Sequence, residues 1–137
     1  MLQSHLSHLQ FNVHADNLSF YKELLTYLGW HIVFDSEEMI GLVDKNGVSL
    51  WFGGQVNDSQ NDYDGPGMNH LAIGVVAQTD VDAAAAYLIE HDVALLFETP
   101  RHRPEFSRSA EHTYYQVMFE TPDHILMEVV YTGVKSL

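Results

Sequence analysis

Two histidines hold the same place in two copies of one phrase. His8 opens His8-Leu9-Gln10-Phe11-Asn12-Val13, and His70 opens His70-Leu71-Ala72-Ile73-Gly74-Val75, 62 residues later. A neutral imidazole offers a nitrogen lone pair to a metal. Either histidine alone reads more simply as a surface or hydrogen-bonded residue; their recurrence at one position of a repeat makes them candidates for chemistry. A third candidate is Glu128, set inside Ile125-Leu126-Met127-Glu128-Val129-Val130. An unpaired buried carboxylate is costly there, and a metal, an arginine or an exposed edge strand would each offset that cost. The chain has no cysteine, so any metal would be held by His, Asp or Glu.

The elements that carry these residues also repeat. In both phrases the apolar residues alternate, which is strand periodicity. Leu9, Phe11 and Val13 face one way in the first copy, and Leu71, Ile73 and Val75 in the second, with each histidine on the opposite face. A helix follows each strand. Asp16 or Asn17 can cap a segment through Leu28, with Leu18, Tyr21, Leu25 and Leu28 at helical spacing and Gly29 as its stop. In the second half Thr79 with Asp82 reads as a capping box. Val81, Ala84, Ala85 and Leu88 then form a stripe through about Glu90. Strands are predicted at 30–35, 39–43 and 48–52, and again at 93–98, 114–120 and 125–131, with turns at 44–47 and 121–124. The order is βαβββ twice: module one 1–53, a mobile linker 54–67 rich in Gly, Asn, Asp and Gln, and module two 68–137. Aligning the turns sets Trp51 opposite Glu128.

His8 to Trp51 spans 43 residues and His70 to Glu128 spans 58, and the excess of 15 is placed most simply around Thr99–Thr113. That stretch holds Arg101, Arg103 and Arg108, half of the six basic residues, together with His102 and His112. It reads either as a ligand loop or as a solvated hairpin. Tyr114, Tyr115 and Gln116 open the next strand. Alternation puts Tyr114 with Gln116 on one face and Tyr115 on the other, without saying which faces inward. The remaining histidines lie near turns and element ends, where solvation is the simpler reading.

Composition bounds the partners. A chain of 137 residues with net charge −13 is expected to form one domain, 1–137, with a sizeable core. Its charge would repel nucleic acid and anionic membranes, so neither is an expected partner, while a cationic ligand would suit it. No apolar run approaches a membrane span and the first residues are not a signal peptide, so a cytoplasmic location is expected.

The sequence resembles the glyoxalase/bleomycin-resistance/dioxygenase superfamily, the vicinal oxygen chelate fold. The resemblance rests on HLQFNV, on FYKELLTYLGW (Phe20–Trp30), on HLAIGV and on FETPDHILMEVV (Phe119–Val130), in order over nearly the whole chain. It implies an α+β fold: two βαβββ modules forming a cupped open barrel with helices outside. It further implies metal ligands at up to four positions, here His8, Trp51, His70 and Glu128. Trp51 cannot ligate a metal or take a proton from carbon, so the first-module glutamate of glyoxalase I is missing.

The resemblance thus implies a facial set of His8, His70 and Glu128 with open positions for substrate. That set is similar to those of the superfamily's Fe(II) extradiol dioxygenases and Mn(II) thiol transferases of fosfomycin resistance. Zn(II) and Ni(II) remain open as the metal. Two functions follow: a divalent-metal-dependent enzyme acting on a small oxygen-rich molecule, or a metal-free drug-binding resistance protein of the bleomycin-binding type. Pocket candidates are Trp51, Arg101, Arg103, His102, His112, Tyr114, Tyr115 and Gln116. Trp51 either fills the cup or stacks on an aromatic ligand. Small two-module chains of the superfamily usually pair, which implies a homodimer whose site draws His8 from one chain and His70 with Glu128 from the other.

Overall fold

Alternating apolar residues leave one face of each strand to be covered, and in both halves of the chain a helix covers it. The computed structural model describes residues 1–136 and divides into two units, Met1–Ser59 and the residues from Gln60 onward. The division falls inside the predicted linker.

In the first unit the order is β1 (His8–Asn12), a 3-10 turn (Ala15–Asn17), α1 (Leu18–Tyr27), β2 (His31–Asp35), β3 (Met39–Val43) and β4 (Ser49–Gly53). The sheet order is β1-β4-β3-β2; β1 runs parallel to β4 and the other pairs are antiparallel. The alternation of β1 turns Phe11 toward α1. Its ring stacks on Phe52 at 5.3 Å, and Phe52 stacks on Tyr21 of the helix at 4.5 Å. Val13, Leu18, Leu24, Leu25, Ile40, Leu42 and Leu50 complete this core. Gly29 ends the helix at φ 94°, where Trp30 N–H bonds back to Leu25.

The second unit repeats the order: β5 (Leu71–Gly74), α2 (Gln78–Glu90), β6 (Leu95–His102), a 3-10 turn (Pro104–Phe106), β7 (His112–Glu120) and β8 (Leu126–Val134). Its sheet order is β5-β8-β7-β6, again with only the first strand in a parallel pair. Val81, Ala84, Ala85 and Leu88 are buried, the stripe expected of α2. The cap differs from expectation. Ala77 is the N-cap residue and its N–H donates to Asp80, 3.1 Å away. Asp82 instead accepts a hydrogen bond from Tyr115.

The two parallel registers match. Gln10 lies opposite Trp51, and Ala72 lies opposite Glu128. His8 lies opposite Ser49, two residues before Trp51; extending the second register by one residue sets His70 opposite Leu126, two before Glu128. The hairpin turns match as well. Asp44 pairs with Val48 and Thr121 with Ile125, and the left-handed residue is Gly47 in one turn and His124 in the other.

The segment read as a mobile linker is partly anchored. Asn61 Nδ2 donates to the His124 carbonyl at 2.8 Å, and Tyr63 OH to Glu120 at 3.4 Å. Among the described residues no helix is long and apolar enough to cross a membrane.

Candidate functional site

In the second unit the face of the sheet away from α2 carries Glu128. β-Pairing puts Met118 opposite Glu128, Gln116 opposite Val130 and Tyr114 opposite Thr132, so Glu128, Gln116 and Tyr114 share that face. Tyr115 belongs to the other face, where its hydroxyl donates to Asp82 of α2 at 2.6 Å. The alternation of the sequence is thereby resolved: Tyr114 and Gln116 point with Glu128, and Tyr115 does not.

Glu128 is 1% exposed. One carboxylate oxygen, Oε1, accepts a hydrogen bond from Tyr114 OH at 2.5 Å. The other, Oε2, lies 3.2 Å from His70 Nε2. The phenol of Tyr114 is pushed up to about 12, first by burial, then by donating to Glu128 and by that carboxylate's charge; the Arg103 guanidinium opposes the rise.

The tautomer of His70 follows from its neighbour. Asn69 Nδ2 donates to the Tyr63 carbonyl at 3.2 Å, and a carbonyl can only accept, so Asn69 Oδ1 is turned to His70. His70 Nδ1 lies 2.8 Å from that oxygen and must carry the proton. In the neutral ring Nε2 then presents a lone pair to a carboxylate oxygen. Two acceptors face each other, and only a proton or a cation between them makes the contact favourable. Two donor atoms about 2.1 Å from one ion and roughly at right angles stand about 3 Å apart. The 3.2 Å separation and the N/O donor pair therefore fit a divalent metal. Asn69 is the kind of outer partner that orients a ligating histidine. No third His, Asp or Glu joins this pair within the second unit among the described residues.

The other candidates separate by face. Arg103 N–H bonds to the Tyr114 carbonyl, and Arg101 lies opposite Gln116, so both arginines belong to the Glu128 face. Arg103 Nη1 donates to Gln116 Oε1 at 2.7 Å. Arg101 is more exposed and reaches Glu98 at 3.9 Å. His102 lies opposite Tyr115, and its Nδ1 meets Thr113 Oγ1 at 2.6 Å, away from Glu128. His112 lines a pocket of about 260 Å³ with Phe106, Arg108, Thr132 and Val134.

In the first unit His8 is exposed, with Ser7 Oγ 3.1 Å from its Nδ1. Trp51 lies over Gly41, where an added Cβ would meet the indole at 2.6 Å, and its Nε1 donates to Ser49 at 2.9 Å. Phe34 borders the ring at 6.0 Å. The indole thus packs on its own sheet, with its one polar atom satisfied.

Asn69 and the inward choice of Tyr114 are not evident from residue type. The one sequence signal that points to Asn69 is its position beside His70.

The family model described as Glyoxalase/Bleomycin resistance protein/Dioxygenase superfamily matches residues 4–129. A candidate glyoxalase from Bacillus halodurans has a similar structure, with a TM-score of 0.76 at 24% identity, covering 94% of this chain and 96% of that one. A glyoxalase/bleomycin resistance protein from Albidiferax ferrireducens superposes with a TM-score of 0.71 at 17% identity, over 93% and 99%. The fosfomycin resistance protein FosX from Listeria monocytogenes, solved with Mn(II) and sulfate, gives 0.68 at 17% identity, over 96% and 93%. At these identities the likeness is one of fold. No curated protein matches the sequence.

Proposed function

The chain belongs to the Glyoxalase/Bleomycin resistance protein/Dioxygenase superfamily, and on that premise we propose that it is a divalent-metal-dependent enzyme acting on a small oxygen-rich molecule. His70, Glu128 and His8 are its protein ligands in this reading. The observation that supports it best is the His70 Nε2 lone pair turned onto Glu128 Oε2 at 3.2 Å by an Asn69 whose own orientation is set by Tyr63. Such a metal, when bound, supplies Lewis-acid polarisation of two chelating substrate oxygens.

The chain's own residues have distinct tasks. Asn69 keeps Nδ1 protonated and Nε2 free. Tyr114 occupies one oxygen of Glu128, which leaves the other as the single facing donor. Trp51, aligned with Glu128 by register, supplies no base for removing a proton from carbon. That favours dioxygenase-like or thiol-transferase-like chemistry over glyoxalase I isomerisation. The second reading is a metal-free small-molecule binder. The Tyr114–Glu128 bond favours it, because that bond and a doubly protonated His70 would satisfy the carboxylate without a metal.

Metal analysis decides between them. Protein purified without a nickel column is stripped and titrated with Mn(II), Fe(II) and Zn(II). The enzyme reading expects saturable uptake, lost in His70→Ala and weakened about 10–100-fold in Asn69→Leu. No uptake by the wild-type chain, or equal uptake by His70→Ala, leaves the metal-free reading.

A further inference from the structure

Half of the cationic side chains of an acidic chain fall within eight residues: Arg101, Arg103 and Arg108. Arg103 is the one built into the sheet. Its side chain is 20% exposed, against 42% for Arg101. The guanidinium lies 4.9 Å over the Phe106 ring, and Phe106 meets the Tyr114 ring edge-on at 5.4 Å. Its Nη1 donates to Gln116, which is buried. Because Gln116 accepts through Oε1, its two Nε2 protons remain as donors on the same face. Arg103 pairs with Tyr114 across the sheet, and the Tyr114 hydroxyl donates to Glu128, so the guanidinium and the Tyr114–Glu128 bond share one face.

One oxyanion already reaches this guanidinium. Glu105, half-exposed in the 3-10 turn that follows, accepts a hydrogen bond from Arg103 Nε. The Glu105 carboxyl is held below its usual range, first by its own backbone N–H and then by Arg103. A guanidinium presents paired N–H groups that match two oxygens of a carboxylate or phosphonate, which an ammonium does not. Glu105, two positions along the chain and half-exposed, is thus an internal stand-in accessible to displacement.

We propose that Arg103 and Gln116 form an oxyanion-binding subsite beside His70 and Glu128, with Glu105 as its internal occupant. The ligand of this face carries a carboxylate, phosphonate or phosphate group next to its chelating oxygens. Only that last clause rests on the metal reading; the subsite itself does not. The net charge of −13 argues for cationic ligands at long range, but that field is screened beyond about 8 Å at physiological ionic strength. At contact distance the guanidinium decides.

Inorganic phosphate is the probe, titrated into metal-free protein at constant ionic strength. Binding is followed by calorimetry and by the Arg103 Nε–H resonance. Wild-type protein should bind it saturably. Glu105→Gln should tighten binding about two- to fivefold, the scale of one exposed ion pair. Arg103→Gln should weaken it about tenfold or more, the scale of one charge-assisted hydrogen bond. Mn(II) uptake, measured without phosphate, should be the same in all three. Unchanged phosphate affinity in Glu105→Gln, or no saturable binding by wild type and Glu105→Gln alike, overturns the subsite. If Arg103→Gln fails to fold, Glu105→Gln alone decides. Absent Mn(II) uptake with the phosphate series intact upholds the subsite and overturns only the metal reading.

Discussion

Tyr114 and Tyr115 are adjacent in sequence and turned to opposite faces, one onto Glu128 and the other onto Asp82. Both phenols are pushed up to about 12, in each case by burial first and by the carboxylate partner second. An unfolded tyrosine titrates near 10. The fold therefore holds these protons more tightly than the unfolded chain does. The stability they contribute is whole below pH 10 and is lost as pH rises through about 12. Urea midpoints should fall between pH 9 and pH 11, and Tyr115→Phe should fall less steeply than wild type. Equal slopes would mean that the Tyr115–Asp82 bond is not a source of the loss. At this scale the sequence was half legible. Alternation separated the two tyrosines, but only the sheet's packing on α2 says which of them meets the acid. The pairing of His70 with Glu128 was an implication of the family resemblance; the repeat by itself singled out only the two histidines. Asn69 was not legible, because nothing in its type distinguishes a ring-orienting amide from a turn residue.

One irregular strand decides which arginines share the face of Glu128. Early in β6, Leu96 lies opposite Met118, but after the irregularity Arg101 lies opposite Gln116. Three extra residues sit in β6 between these pairs. An odd insertion reverses the inside–outside alternation, so the odd-numbered Arg101 and Arg103 reach the Glu128 face and His102 leaves it. Phe97 and Glu98 adopt left-handed backbone there, at φ 57° and 58°. Buried Thr99 holds the bulge: its hydroxyl donates to the Leu96 carbonyl at 2.7 Å and accepts from Met118 N–H at 2.9 Å. Thr99→Val keeps the shape and removes both of these hydrogen bonds. It should cost about 1–3 kcal/mol in chemical denaturation, the penalty of an unsatisfied buried group. A change under a few tenths would show that the bulge does not depend on that hydroxyl. Helices and most strands were legible from period alone, within a few residues at their ends. The bulge was not, because its residues keep no period and its threonine has the composition of a loop. The extra length of module two was visible at 99–113, but most of it is a hairpin extended along β6 and β7 rather than a free loop.

At the scale of the molecule, each unit is a complete βαβββ module, and the second supplies two of the three proposed ligands. His8, the third, belongs to the first unit. Superfamily membership supports pairing of small two-module chains, and the first unit carries a feature that suits a partner. Strand β2 is a sheet edge whose residues are all exposed, including Ile32 at 45%, Val33 at 54% and Phe34 at 46%. An apolar edge of this kind is an aggregation liability unless another surface covers it. We therefore expect a homodimer with a two-fold axis, in which His8 of one chain completes the site of the other. Complementation tests this without any knowledge of the substrate. His8→Ala and Glu128→Ala homodimers should each lack full metal uptake. After subunit exchange, a shared site leaves each heterodimer with one site free of lesions and one carrying both. Mixing equal amounts should then restore about a quarter of the wild-type uptake, since half of the dimers are mixed and half of their sites are whole. An unshared site would recover nothing, because every site would still carry one lesion. A chain that sediments as a monomer at micromolar concentration, or no recovery after exchange is proven by mass spectrometry, would sink the shared site.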